Sequence, residues 1–153
     1  EYPYTLITDS LHNIYNIVTV IAALRQLGSD LRVLRDPTRG GVATTLCEFV
    51  EGTALSILLE ETDIPVRPAV ASACDILGLD PLYCANEGKL LAVVAPERAE
   101  EALALLRGLP EGENAAVIGT VGEQWPGRVA VRTALGGTRI AAKLAGAQLP
   151  RIC

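Results

Sequence analysis

The sequence is poor in aromatic residues, with one Trp, one Phe and four Tyr. Its core must be assembled from Ala, Leu, Val and Ile, which favours close helix–sheet contacts over an aromatic-packed β-sandwich. Histidine is nearly absent: His12 stands alone, and a lone histidine on a helix reads as a surface or half-buried residue. The four cysteines, Cys47, Cys74, Cys84 and Cys153, show no C-x-x-C spacing. Zinc sites want paired Cys/His ligands at short spacing, so no metal site is expected. Single cysteines scattered through apolar contexts fit buried thiols of a reducing, cytoplasmic compartment, with Cys153, the last residue, the exception. No apolar run approaches the ~18 residues of a membrane span. A basic-then-apolar signal segment is missing too. The chain opens on Glu1 rather than methionine, and is expected to be a piece excised from a longer protein. Basic excess is also lacking: the formal net charge of −5 repels phosphates and argues against a nucleic-acid or membrane-surface binder.

What remains is the composition of a folded domain. Half of the 153 residues are hydrophobic and a fifth are charged, a balance that excludes disorder, a coiled coil and a collagen-like fibre. A chain of this length can bury roughly two-thirds of its unfolded surface without a disulfide or metal staple. Residues 1–8 read as an extended lead-in. Asp9 and Ser10 read as N-cap residues for a helix over 11–27, stopped by Gly28. Strand patterns follow at 31–34, 55–60, 89–94, 116–121, 129–132 and 139–142. Helical patterns occupy 42–51, 69–77 and 96–106, the last opened by Pro96. Helices alternating with strands early, then strands late, predict an α+β fold: a mixed α/β sheet with flanking helices. The expected organisation is a single domain over 1–142 and a flexible tail over 143–153.

Three segments carry chemistry. In Arg35-Asp36-Pro37-Thr38-Arg39-Gly40-Gly41, two glycines before a helix let the backbone approach a ligand, and the free N–H groups of the first turn favour an anion. Arg39 could pair with that anion, and Asp36 could orient Arg39 or a metal. The plainer reading is a tight turn capped by Thr38 or Asp36. In Asn86-Glu87-Gly88-Lys89, a carboxylate at a strand entrance is well placed for acid–base work, although such junctions are usually ordinary turns. The third segment is the terminal Pro150-Arg151-Ile152-Cys153. A thiol at the tip of a tail is poor as a packing element and suited to being carried between sites. Arg151 would raise its thiolate fraction and the terminal carboxylate would oppose it. The bland alternative is a chance terminus. Trp125, in a turn beside Pro126, reads as a packing anchor.

Taken together, Asp36-Pro-Thr-Arg-Gly-Gly41, Asp80-Pro-Leu-Tyr-Cys-Ala-Asn-Glu-Gly-Lys89 and the ending Pro-Arg-Ile-Cys153 resemble the hydrogenase expression/formation (HypE) family. The resemblance runs from about Thr8 to Cys153 and matches only that family's C-terminal domain. The first motif is shared loosely across the aminoimidazole ribonucleotide synthetase superfamily; the terminal tetrapeptide is far more specific. Cys84 departs from the pattern, standing where an ordinary apolar residue is expected, and reads as packing. The resemblance implies the C-terminal-domain fold of that superfamily, partly ferredoxin-like. It also implies a preceding domain that supplies most of the ATP site and forms the homodimer.

The activity implied is [NiFe]-hydrogenase maturation by an ATP-dependent carbamoyl dehydratase. The carbamoyltransferase HypF would load Cys153, dehydration with ATP and Mg2+ would give a thiocyanate, and cyanide would pass to iron on a HypC–HypD scaffold. The isolated fragment is expected to be inactive. By the same resemblance Cys153 and Glu87 would be catalytic, with Asp36, Thr38, Arg39, Gly40, Gly41 and Asn86 near ATP. Two other classes stay open: a non-catalytic assembly module, and a related ATP-dependent synthetase or kinase domain without a carrier thiol. Both predict that removing Cys153 leaves function intact.

Overall fold

The computed structural model describes residues 4–10, 14–86 and 88–144. Seven strands form a single sheet: β1 (Tyr4–Ser10), β2 (Leu31–Arg35), β3 (Ser56–Glu60), β4 (Lys89–Val94), β5 (Ala116–Gly122), β6 (Val129–Arg132) and β7 (Thr138–Ala141). The helices are α1 (Ile14–Leu24), α2 (Gly41–Val50), α3 (Pro68–Leu77) and α4 (Ala99–Arg107). The strand order is β2-β4-β1-β5-β3-β6-β7. All pairings are antiparallel except β3 with β6.

The first four strands in that order carry the ferredoxin-like part. β1, α1 and β2 make a crossover unit with β4 inserted antiparallel between its two strands, and α4 then leads to β5 on the other side of β1. This is the split βαβ arrangement. The segment holding α2, β3 and α3 is inserted between β2 and β4, and β3 with β6 and β7 extends the sheet.

Both faces of the central strands are covered, so they read as unbroken apolar runs. Leu90, Ala92 and Val94 of β4 pack with Val20, Leu24, Leu103 and Leu106 of α1 and α4. Leu91 and Val93 face the other way, toward Val42, Leu46 and Val50 of α2, together with Ile57, Leu59, Val129 and Val131. The helices differ in their anchorage. A buried aliphatic side chain is worth about 1.5–3 kcal/mol, so Val42, Leu46 and Val50 hold α2 firmly. α3 buries only Cys74 and leaves Val70, Ile76 and Leu77 exposed.

Among the described residues the expected elements are present, with corrections at the first strand and at two helix ends. Of the lead-in, residues 4–8 belong to a central strand, with Leu6 and Ile7 buried on opposite faces at 0% and 1% exposure. Asp9 and Ser10 are not N-caps: they continue β1 and pair with Leu90 and Lys89. The reason is long-range pairing, which a capping signal cannot reveal. The first helix also ends early, passing at Arg25–Asp30 into a 3-10 turn in which Gly28 has φ 56°. The fourth opens as a 3-10 turn over Pro96–Arg98 before becoming α-helical.

Candidate functional site

β1 and β2 end, and β4 begins, at one end of the sheet: Ser10 pairs with Lys89, and Arg35 with Leu91. The loop 36–40 and the segment leading to Lys89 are therefore neighbours by topology. Two contacts fasten them. The Asn86 backbone N–H donates to the Pro37 carbonyl at 3.1 Å. The second contact is a glycine seat. Gly41 has φ +64°, and a Cβ placed on it would lie 2.6 Å from the Cys84 carbonyl oxygen, 2.8 Å from the Tyr83 carbonyl carbon and closer still to the Leu82 oxygen. The turn 81–84 thus rests its backbone directly on the start of α2, which only glycine permits.

The helix start differs from the expected cap. Gly40, at φ 70°, is the N-cap residue, and no side chain caps α2. Neither Thr38 nor Asp36 performs that role, because the left-handed Gly40 turns the chain away from both. Asp36 and Arg39 are exposed, while Thr38 and Asn86 are half-buried. Among the described residues Asp36 forms no ion pair with Arg39. The Arg35 guanidinium instead meets Glu48 at 2.5 Å. Thr44 Oγ1, buried beneath Gly40, has no hydrogen-bond partner among the described residues.

Beside this junction lies a cleft of about 280 Å3 lined by Ile21, Leu34, Arg35, Asp36, Gly88, Lys89 and Leu90. Burial pushes the Lys89 ammonium below its ordinary value, and the nearby Arg67 charge adds to the effect. A cation held where its charge is poorly solvated gains from an incoming anion. Sequence reading named the segment containing Lys89 without assigning the lysine a role; the signal was a charged residue heading an otherwise apolar strand.

A second group was missed. Asp80 accepts from the Leu82 N–H at 2.9 Å and pairs through its other oxygen with Arg139 of β7 at 2.8 Å. Tyr83 Oη accepts from the Ala142 N–H at 3.1 Å. The turn 80–84 is thereby bound to the end of β7, and the chain leaves the sheet beside it.

Of the expected site residues, Asp36, Thr38, Arg39, Gly40, Gly41 and Asn86 come together at this sheet end. Glu87, Cys153, His12 and the segment 145–153 lie outside the described residues. Cys47 is half-buried rather than buried, with Sγ donating to the Ala141 carbonyl at 3.5 Å, and burial pushes its thiol up. Cys74 is buried. Trp125 is half-buried in the β5–β6 connection, its carbonyl accepting from the Arg128 N–H at 2.9 Å. Among the described residues no cluster of His, Cys, Asp and Glu could hold a metal ion, and no helix is long and apolar enough to cross a membrane.

Comparison with known proteins agrees with this geometry. The chain is 49% identical over 134 residues to the carbamoyl dehydratase HypE of Cupriavidus necator, covering 88% of this chain and 38% of that one. It is 45% identical to the carbamoyl dehydratase HypE of Rhizobium leguminosarum bv. viciae over 100% of its length and 43% of the relative's. A crystal structure of the hydrogenase maturation protein HypE in complex with ATP superposes with a TM-score of 0.83 at 42% identity, covering 99% of this chain and 53% of that one. A HypE–HypF complex superposes at 0.81 with 32% identity, over 94% and 53%. The chain thus spans about two-fifths of the length of the curated relatives it matches. PurL of Thermotoga maritima, at 16% identity and a TM-score of 0.66, shares the fold. The AIR synthase related protein C-terminal domain matches residues 10–132, and the chain belongs to that family.

Proposed function

We propose that this chain supplies the carrier thiol and the acid–base loop of an ATP-dependent carbamoyl dehydratase in [NiFe]-hydrogenase maturation. The observation that carries the reading is the fastening of the two motif loops. Gly41 seats the turn 81–84 and Asn86 bonds to Pro37, so loop 36–41 and loop 80–86 are held together at the sheet end where Asp36 and Lys89 line the cleft. Similarity to proteins named carbamoyl dehydratase across 88% of the chain supports the same reaction.

The chemistry follows from leaving groups. HypF loads a carbamoyl group on Cys153, giving S–C(=O)NH2. Oxygen leaves an amide poorly, so the carboxamide oxygen first attacks the γ-phosphorus of ATP, releasing ADP, and the nitrogen gives up one of its two protons to leave an O-phosphorylated imidate. A base then takes the remaining nitrogen proton as the C≡N bond forms and phosphate departs with the oxygen. Glu87 is assigned that base, a role a desolvated carboxylate fills well. Lys89 and Arg67 offset the charge of the departing phosphate. The product is a thiocyanate on Cys153, whose sulfur leaves readily when cyanide passes to iron on HypC–HypD. The nine residues that follow Leu144, ending at Cys153, can span about 30 Å when extended, a length that suits a carried thiol.

The larger part of the ATP site and the homodimer contact are assigned to the portion of the relatives that this chain does not span. Magnesium is assigned there as well. Among the described residues Asp36 is the only carboxylate lining the cleft. The test is intact-mass analysis of the protein with its N-terminal domain, incubated with HypF, carbamoyl phosphate and ATP. A gain of about 43 Da on Cys153 followed by loss of about 18 Da is expected. Loading on another residue, or none of either step, overturns the reading.

A further inference from the structure

Cys74 of α3 and Cys84 of the turn below it bring their sulfurs to 4.0 Å. The two thiols belong to different elements and meet at the loop that leads to Asn86. We propose that Cys74 and Cys84 form a reversible disulfide that clamps α3 onto the 80–86 loop, with a glutathione-type disulfide as the oxidant.

Two facts decide how the bond closes. A disulfide needs an S–S distance of about 2.05 Å, so the sulfurs must approach by about 2 Å. The loop cannot supply that movement, because its backbone rests on Gly41 and its ends are tied to Arg139, Ala142 and Pro37. α3 can supply it, since Cys74 is its only buried residue. Side-chain rotation and a small inward shift of α3 close the gap, and the loop keeps its place while losing freedom.

Accessibility sets the order of events. Cys84 is half-buried and Cys74 is 5% exposed. Cys84 therefore loses its proton and attacks one sulfur of glutathione disulfide, releasing one glutathione. The Cys74 thiolate then attacks the Cys84 sulfur of the mixed disulfide and expels the second. Two thiol protons end on two glutathiones, and the two electrons lost by the pair reduce the oxidant. Burial and the hydrogen-bonded Cys74 thiol push the Cys84 thiol up, which lowers its thiolate fraction and slows its attack. The Cys47 thiol is engaged separately at the Ala141 carbonyl.

The test uses the whole chain carrying Cys153→Ser, which removes the terminal thiol's own mixed disulfides. Treatment with oxidised glutathione, followed by alkylation and non-reducing peptide mapping, is expected to give a Cys74–Cys84 cross-link, a mass loss of about 2 Da, exceeding the Cys84–glutathione adduct at least about ten-fold. Dithiothreitol should reverse it. Hydrogen exchange through residues 68–86 should slow in the oxidised form. Cys74→Ala, lacking the resolving thiol, should instead accumulate the adduct on Cys84, a gain of about 305 Da. A stable Cys84 adduct without a cross-link while Cys74 is present, a cross-link from Cys84 to Cys47, or resistance of both thiols to oxidation would each overturn the proposal. The cross-link and exchange readouts are independent of the dehydratase reading.

Discussion

Gly41→Ala isolates the contact that holds the site together. Two costs follow from the structure. At φ +64° an alanine Cβ is strained against its own backbone, a cost of about 1–2 kcal/mol. The same Cβ runs into the carbonyls of Leu82, Tyr83 and Cys84, and overpacking of this kind costs about 1–3 kcal/mol more. The sum, about 2–5 kcal/mol, is a large share of the ~5–15 kcal/mol that holds a domain folded. At about 2–4 °C per kcal/mol for a chain of this size, the melting temperature should drop by roughly 4–20 °C.

The control is Gly52→Ala. Gly52 has a similar φ of +71°, yet a Cβ there meets nothing within 4 Å. It carries the backbone cost alone, so the difference between the two variants in urea unfolding measures the seating of the turn 81–84. Equal losses in the two variants would refute the seat. Hydrogen exchange adds a second reading: Gly41→Ala should speed exchange at Asn86, whose N–H is held by Pro37, and Gly52→Ala should leave it unchanged.

Three further outcomes are expected. With the N-terminal domain present, Glu87→Gln should leave carbamoylation of Cys153 intact and slow its dehydration roughly 10²–10⁴-fold, the usual worth of a positioned base; an unchanged rate, read by mass spectrometry, would make Glu87 a turn residue. Lys89→Met should match or exceed the parent chain in stability at neutral pH. Because burial lowers the lysine's folded-state value, the unfolded chain binds more protons, so the parent gains on the variant as pH rises toward the ordinary value of about 10.4; denaturant titrations at neutral and alkaline pH check this. Alkylation should label Cys153 first and Cys74 slowly, with Cys47, raised by burial, in between; mass mapping that found Cys74 labelled ahead of Cys153 would contradict the order.

Local signals in the sequence located most elements. Gly78 marks the end of α3 with φ 66°, and Leu90 to Val94 read as a buried strand because both of its faces meet helices. What escaped was anything set by distant pairing. Residues 4–10 hold the centre of the sheet only because Val94 to Lys89 and Val121 to Ala116 flank them. No short window contains that information, so Asp9 and Ser10 look like caps. The site divided along the same line. The paired glycines signalled an unusual backbone, and their positions proved informative, but the partner of Gly41 is another stretch of backbone, residues 82–84. A glycine required for ligand approach and one required for backbone contact are identical in sequence.

That distinction changes how the motif works. A glycine pair kept for ligand approach would tolerate a second small residue wherever the ligand left room. Here the room at Gly41 is already filled by the turn 81–84, so the motif's first task is to register one loop against the other. Asp80 and Tyr83 extend the same registration to Arg139 and Ala142. Loop 36–41, loop 80–86 and the exit from β7 are consequently one mechanical unit, fixed before any substrate arrives. Under the proposed carrier role, the segment after β7 would start from a point tied to the turn 80–84 through Asp80 and Tyr83.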